Sequence, residues 1–330
     1  MNKVLNKLWI FAVVIILFLV GISLWHIKSK TEMYPGLSIR ELHTLGIDGT
    51  GIGVAIIDQK LLVDHCEYAK SIVYYKEMQS LDGEPNSMHG PAVSSILVGK
   101  NCGVAPGANL YYWAIPVQGE ESGGALYARA VKDVILFNST LSEEGRIRIL
   151  SISNGFRKEE GGDEFAQAIK EAWDSGIAVF TSTLPYFTDP VIAVYNAALK
   201  KGGSRDEVND YVVQPDVIKH RGQSAETIVQ IRHQQGNGKI SYKPVWVPVE
   251  PRLLASPRGT KKYELFSTGG DSWATPYVAG VAALILQANP RLSNKQVVEI
   301  IATSTIDNIG GLLMLAPNQA VMKAQGVKEP

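Results

Sequence analysis

Gly269-Gly270-Asp271-Ser272-Trp273-Ala274-Thr275-Pro276 runs directly into Tyr277–Ala288 (YVAGVAALILQA). In that order a glycine-rich loop delivers a serine to the start of an apolar helix whose small residues allow close packing. A serine there is by default a plain N-cap. Two upstream segments are built in a similar way. In Met88–Val93 (MHGPAV), His89 precedes Gly-Pro and an apolar run; proline in the first helical turn suits its fixed φ, so His89 projects from a helix N-terminus. Asp58 follows the apolar strand Gly51–Ile57 (GIGVAII), where a carboxylate can face a crevice. Singly these are a turn former, a surface cap and an N-cap. Together they supply an orienting carboxylate, a general base and a nucleophile.

Around the three residues, short β-branched runs alternate with helical stretches. Strands are predicted at Gly51–Ile57, Leu110–Ile115, Ile147–Ile152 and Ile177–Thr181, and helices at Pro91–Val98, Leu126–Phe137 and Asp163–Asp174. The near-continuous apolar character of GIGVAII is that of a strand buried on both faces. The alternation predicts an α/β domain with a mainly parallel sheet, and such sheets bind ligands at the carboxyl ends of their strands. Chain order then separates the folds that use this triad. All six histidines (His26, His43, His65, His89, His220 and His233) precede Ser272, and Ala274 spoils a GxSxG elbow, so the α/β-hydrolase order fails. A chymotrypsin-like chain would be all-β with His before Asp. An SGNH-type esterase, suggested by Gly270-Asp271-Ser272, would carry its nucleophile near the start of its domain. Asp, then His, then Ser on an α/β sheet is the subtilisin order.

At these residues the chain resembles the subtilisin-like serine proteases (subtilases, peptidase family S8). GTGIGVAIID looks like the family's aspartate strand, HGPAVSSILVG like its histidine helix and GVAPGANLYYWAI like the strand that follows. ILSISNG is similar to the strand lining the substrate cleft, and GGDSWATPYVAGVAALIL resembles the serine motif. The resemblance covers roughly Ser38 to Thr305. It implies a three-layer fold with a mainly parallel sheet and helices on both faces. It also implies peptide-bond hydrolysis through an acyl-enzyme, with Asp58, His89 and Ser272 catalytic. A polypeptide substrate would pair as an extended strand with Ser153-Asn154-Gly155 on one side and a segment near Gln118–Gly124 (QGEESGG), including Gly123 and Gly124, on the other; Gly270 also lines the cleft. QGEESGG is equally readable as an acidic surface loop. No cofactor, metal site or calcium loop is expected.

The chain departs from the family pattern in four places. Gln59-Lys60 follows Asp58 where a small residue and Gly are usual, His89 is followed by Gly-Pro, and Asp271 precedes the serine. The family's oxyanion asparagine belongs soon after the Ile177–Phe180 strand, where this chain has TSTLPYFT with Pro185 near its place. In subtilisin such a donor contributes about 2.7–4 kcal/mol, which transfers here by analogy. The remaining oxyanion candidates are the Ser272 backbone N–H, Thr183 or Ser182, and Asn154. A catalytically impaired pseudoprotease that binds a peptide or partner is the rival reading.

Leu8–Trp25 (LWIFAVVIILFLVGISLW) is free of charge over 18 residues; as a helix it is about 27 Å long, close to the thickness of bilayer hydrocarbon. Lys3 and Lys7 flank one side, His26, Lys28 and Lys30 the other, with Trp9 and Trp25 near the interfaces. Gly21-Ile22-Ser23 is a poor cleavage site, so the reading is a retained single-pass anchor, with cleavage left open. The expected organisation is a tail (1–7), an anchor (8–25), a linker (26–36) and one peptidase domain (37–330), the latter outside a bacterial cytoplasm. About a dozen residues separate Trp25 from Ser38, so no folded prodomain is expected between them. The charged stretch 196–243 reads as solvated loop and helix or as a candidate insertion. Balanced charge, 32 Lys+Arg against 32 Asp+Glu, argues against a nucleic-acid partner. Cys66 and Cys102 fit no common zinc pattern and are open to pairing or to staying free.

Overall fold

The computed structural model describes residues 33–85, 87–117, 123–182, 190, 192–234 and 242–326. The predicted anchor at 8–25, Thr183 and most of QGEESGG lie outside these residues. Among the described residues no helix is long and apolar enough to cross a membrane.

A short helix α1 (Ile39–Thr44) leads into β1 (Gly53–Gln59), β2 (Ile72–Glu77), α2 (His89–Val98), β3 (Asn109–Ile115), α3 (Gly123–Asn138), β4 (Ile147–Ile152), α4 (Gly162–Asp174) and β5 (Ala178–Thr181). The five strands form one sheet in the order β2-β3-β1-β4-β5, parallel at every pairing. Its central strands are apolar on both faces, as GIGVAII predicts. Val54 and Ile56 of β1, with Leu110 and Tyr112 of β3, enter one core. The alternating Ala55, Ile57, Tyr111 and Trp113 enter a second core under α3 and α4, as the two-residue side-chain period requires.

The chain continues through β6 (Val194–Leu199), β7 (Tyr211–Val213), α5 (Pro215–Arg221), α6 (Ala225–Gln234), β8 (Val245–Glu250), β9 (Arg252–Ala255) and β10 (Tyr263–Phe266). It ends with α7 (Asp271–Ala288), α8 (Asn294–Thr303), β11 (Thr305–Asp307), β12 (Leu313–Leu315) and α9 (Pro317–Ala324). A second, mixed sheet runs β11-β12-β8-β6-β7, and β9 pairs with β10 in a hairpin-like ribbon. The sequence pattern predicts no strand of this second sheet, and β6 and β7 fall within the charged stretch 196–243. Among the described residues that stretch is not solvated throughout: it opens in β6, where Asn196 and Ala197 are buried, and goes on to β7 and α6, where Tyr211 and Ile228 are buried. Cys66 is exposed and Cys102 buried, and both are free thiols.

Helix α7 packs against β4 and β5 of the first sheet, β6 and β8 of the second, and α2. Every residue from Trp273 to Leu286 is buried, which explains a helix apolar all round rather than along one stripe. Gly280 lets it approach the segment after α2: a Cβ there would stand 2.6 Å from Val104 Cβ. Gly280→Ala should therefore destabilise the fold by about 1–3 kcal/mol through overpacking, read as a lower midpoint of urea unfolding. Val104→Ala, which removes the opposing methyls, should recover part of that loss in the double variant.

Candidate active site

Asp58 is the penultimate residue of β1 and is 1% exposed. A buried carboxylate needs hydrogen-bond partners, and Asp58 Oδ1 has two: the Gln59 N–H at 2.8 Å and His89 Nδ1 at 2.7 Å. Helix α2 begins at His89 itself, two residues earlier than predicted, which places the imidazole at the strand's carboxyl end. Gln59, an oddity against the family pattern, has a role in this placement. Its side-chain oxygen accepts from the Ser87 hydroxyl, which in turn accepts from the His89 backbone N–H at 2.9 Å. The end of β1 thus holds His89 by both side chain and backbone. Gly90 permits the approach, since a Cβ would stand 2.6 Å from the Gln59 carbonyl oxygen and the Tyr112 hydroxyl.

Two opposed influences act on His89. Burial, the largest, lowers its pKa; the charge of Asp58 and the hydrogen bond to it outweigh burial together, so the net shift is upward from 6.5. The His89 ring stacks on Trp273, with centroids 5.6 Å apart and an interplanar angle of 22°, and Trp273 meets Phe266 edge-on. Trp273 was not singled out from sequence; lying one residue after Ser272, it reads there as ordinary core.

Ser272 lies in the first turn of α7. His89, Ser272, Gly269, Gly270, Met88, Phe266, Thr268 and Trp273 line one open cleft, so the structure brings the predicted base and nucleophile into one cleft. The Ser272 hydroxyl donates to the Ser153 carbonyl at 3.3 Å rather than to His89. Ser153 reciprocates, its hydroxyl donating to the Ser272 carbonyl at 2.8 Å. Pro276 is the cause. It stands four residues on and has no N–H for that carbonyl, so a side chain from the end of β4 takes the vacant place.

The other predicted residues are placed as follows. Asn154 is half-buried; its Oδ1 accepts from the Gly155 N–H at 2.8 Å, and its side chain hydrogen-bonds the Tyr127 hydroxyl. Ser182 pairs with the Thr275 hydroxyl at 3.3 Å. Gly123 and Gly124 open α3. A Cβ at Gly123 would stand 2.7 Å from the Phe156 ring, and one at Gly124 would strike the Glu160 and Gly161 carbonyls, so both serve close packing beside the cleft-lining strand. Among the described residues no group of three or more His, Cys, Asp or Glu could hold a metal ion.

The chain as a whole is similar to known proteins. A model of the Subtilase family matches residues 49–184 and 253–327, more than half of the chain. Serine protease AprX of Bacillus subtilis (strain 168) is 27% identical over 289 residues, covering 78% of this chain and 62% of that protein. Subtilisin-like protease 2 of Trichophyton equinum is 23% identical over 93% of this chain and 66% of its own length. The chain thus spans less than two thirds of these two relatives. Subtilisin DY of Bacillus licheniformis is 25% identical, with 86% of this chain and 89% of that protein covered. Among solved structures, the prenylagaramide maturation protease PagA superposes with a TM-score of 0.58 at 19% identity, covering 88% of this chain and 99% of that one, which speaks for the fold. With the parallel sheet, the buried serine helix and the matched family segments in agreement, the chain belongs to the subtilase family of serine proteases.

Proposed function

We propose that this protein is a membrane-tethered serine endopeptidase that cleaves polypeptides through an acyl-enzyme, with Asp58, His89 and Ser272 as its catalytic residues. The observation that carries the reading is the 2.7 Å contact of Asp58 with His89 Nδ1, in the same cleft as Ser272. Asp58 accepts a hydrogen bond from Nδ1–H, fixes the tautomer that leaves Nε2 as base, and stabilises the imidazolium formed when Nε2 takes the serine proton. The Ser272 hydroxyl turns from Ser153 toward His89 once substrate is bound, since catalytic hydrogen bonds often tighten only in the complex. It then attacks the scissile carbonyl. His89 returns the proton to the leaving amine, and water releases the acyl group by the same exchange.

The developing oxyanion is met by the Ser272 backbone N–H at the positive end of α7. The Asn154 amide, which also bonds Tyr127, is the second candidate donor. Extended substrate pairs along Ser153–Gly155, and the uncharged run 8–25 holds the peptidase domain at the outer face of a bacterial membrane.

A fluorophosphonate should label the purified protein at Ser272, and the protein should cleave an unstructured polypeptide. Ser272→Ala should abolish both; peptide binding with no labelling of the wild type would instead identify a pseudoprotease. Asp58→Asn should lower kcat by about 10⁴-fold, the scale seen for the equivalent change in a protease of unrelated fold.

Catalysis needs neutral His89, and Asp58 favours its protonated form. The acid limb of the kcat/KM profile should therefore have its midpoint above 6.5. In Asp58→Asn, only burial remains to act on His89, and the midpoint of the residual activity should fall below 6.5. An unmoved midpoint would assign the limb to another group.

A further inference from the structure

Gly269 begins the turn that carries Ser272, and buried side chains from outside the turn grip both of its backbone polar groups. Its N–H donates to Glu250 Oε2. Its carbonyl accepts from Asn196 Nδ2 at 2.9 Å and from Gln214 Nε2 at 2.8 Å. The three side chains are also bonded to one another: Gln214 Nε2 donates to Glu250 Oε2 at 2.9 Å, and Asn196 Nδ2 to Gln214 Oε1 at 3.0 Å. Asn196 is 3% exposed, Gln214 7% and Glu250 2%.

They come from β6, from the residue before α5 and from the last position of β8. All three lie between residues 184 and 253, the stretch that the Subtilase family model leaves unmatched. Retaining a carboxyl there is unfavourable for packing alone. Burial pushes Glu250 up to about 7, although the Gly269 N–H and the Gln214 amide favour its charged form, and Asp216 adds to the rise. An apolar residue would fill that space without the desolvation penalty, as Val245, Val247 and Val249 do along the same strand. The grip also falls where movement would be transmitted. A Cβ on Gly269 would collide with the Trp273 indole, and that indole stacks on His89.

We infer that Asn196, Gln214 and Glu250 are positioning residues, a buried clamp that sets the register of Gly269–Gly270 and so the reach of the Ser272 hydroxyl toward His89. The inference rests on Ser272 being the nucleophile. The clamp touches no substrate; it acts through the backbone of the turn.

The test is inactivation of the full chain, in detergent, by a fluorophosphonate, resolved into KI and kinact beside thermal unfolding. Glu250→Leu should lower kinact by about 10- to 100-fold, the scale for a nucleophile displaced by about 1 Å, with KI little changed. Glu250→Gln keeps an oxygen for the Gly269 N–H and should restore kinact to near the wild-type value. A merely structural role would lower the unfolding temperature yet leave kinact of the folded protein unchanged. That result overturns the clamp, as does a Gln variant as slow as Leu. Should Glu250→Leu fail to fold, Asn196→Ala removes one of the two carbonyl contacts and should still slow inactivation several-fold; no change overturns the proposal. Wild-type protein unlabelled at Ser272 overturns the nucleophile assignment and the clamp with it. Wild-type labelling with unchanged variants overturns the clamp alone.

Discussion

Helix α7 has no solvent face between Trp273 and Leu286, and the arrangement of the molecule follows from that burial. It packs against strands of both sheets and against α2, so it can neither slide nor turn without opening a core. Close packing in protein interiors makes such a helix intolerant of even one extra methyl. The alanines and glycine of YVAGVAALILQA are the residues that let the sheets approach. Ser272, in its first turn, inherits a fixed position relative to β4. Pro276 fits this scheme through what it lacks: the Ser272 carbonyl, left without an N–H in the helix, is met by the Ser153 hydroxyl. One missing donor thus ties the serine to the end of a strand in the first sheet.

The Asp58–His89 part of the site is governed by a buried charge. Asp58 sits near the end of a strand whose preceding residues, Gly53–Ile57, are apolar and buried, where an unpartnered carboxylate would be strongly unfavourable. The Gln59 N–H is its chain neighbour, and His89 comes within reach because α2 starts there and Gly90 lets that start come close. Gln59 then holds the helix start through Ser87. The upward shift at His89 shows that the Asp58 charge and hydrogen bond together outweigh burial of the imidazole. Trp273 ties this part of the site to the serine, stacking on His89 from the helix that carries Ser272.

Four of the five strands of the first sheet, the helices between them, and the positions of Asp58, His89 and Ser272 at element ends were legible in the residues; the edge strand β2 (Ile72–Glu77) was not. The signals involved are short in range: an apolar run, a proline in a first turn, a glycine-rich loop before small residues. Boundaries moved by one to three residues, as at Gly53 for β1, His89 for α2 and Gly123 for α3. The second sheet was not legible. β6 lies at the head of a charged stretch and β7 is only three residues long, so neither shows the alternation that marks a strand.

By itself the sequence determined the chemistry on offer: which side chains stand at the mouths of which elements, and in what chain order. Those features depend on neighbours a few residues away and on a carboxylate, an imidazole and a hydroxyl whose chemistry is their own. Only the tertiary structure decided what holds them. The Ser153 hydroxyl meets the Ser272 carbonyl across 119 residues, and Glu250 meets Gly269 from the end of an otherwise apolar strand. No local pattern encodes such pairs, because a buried polar group is assigned its partner by whichever backbone the packing of distant elements brings within hydrogen-bond reach.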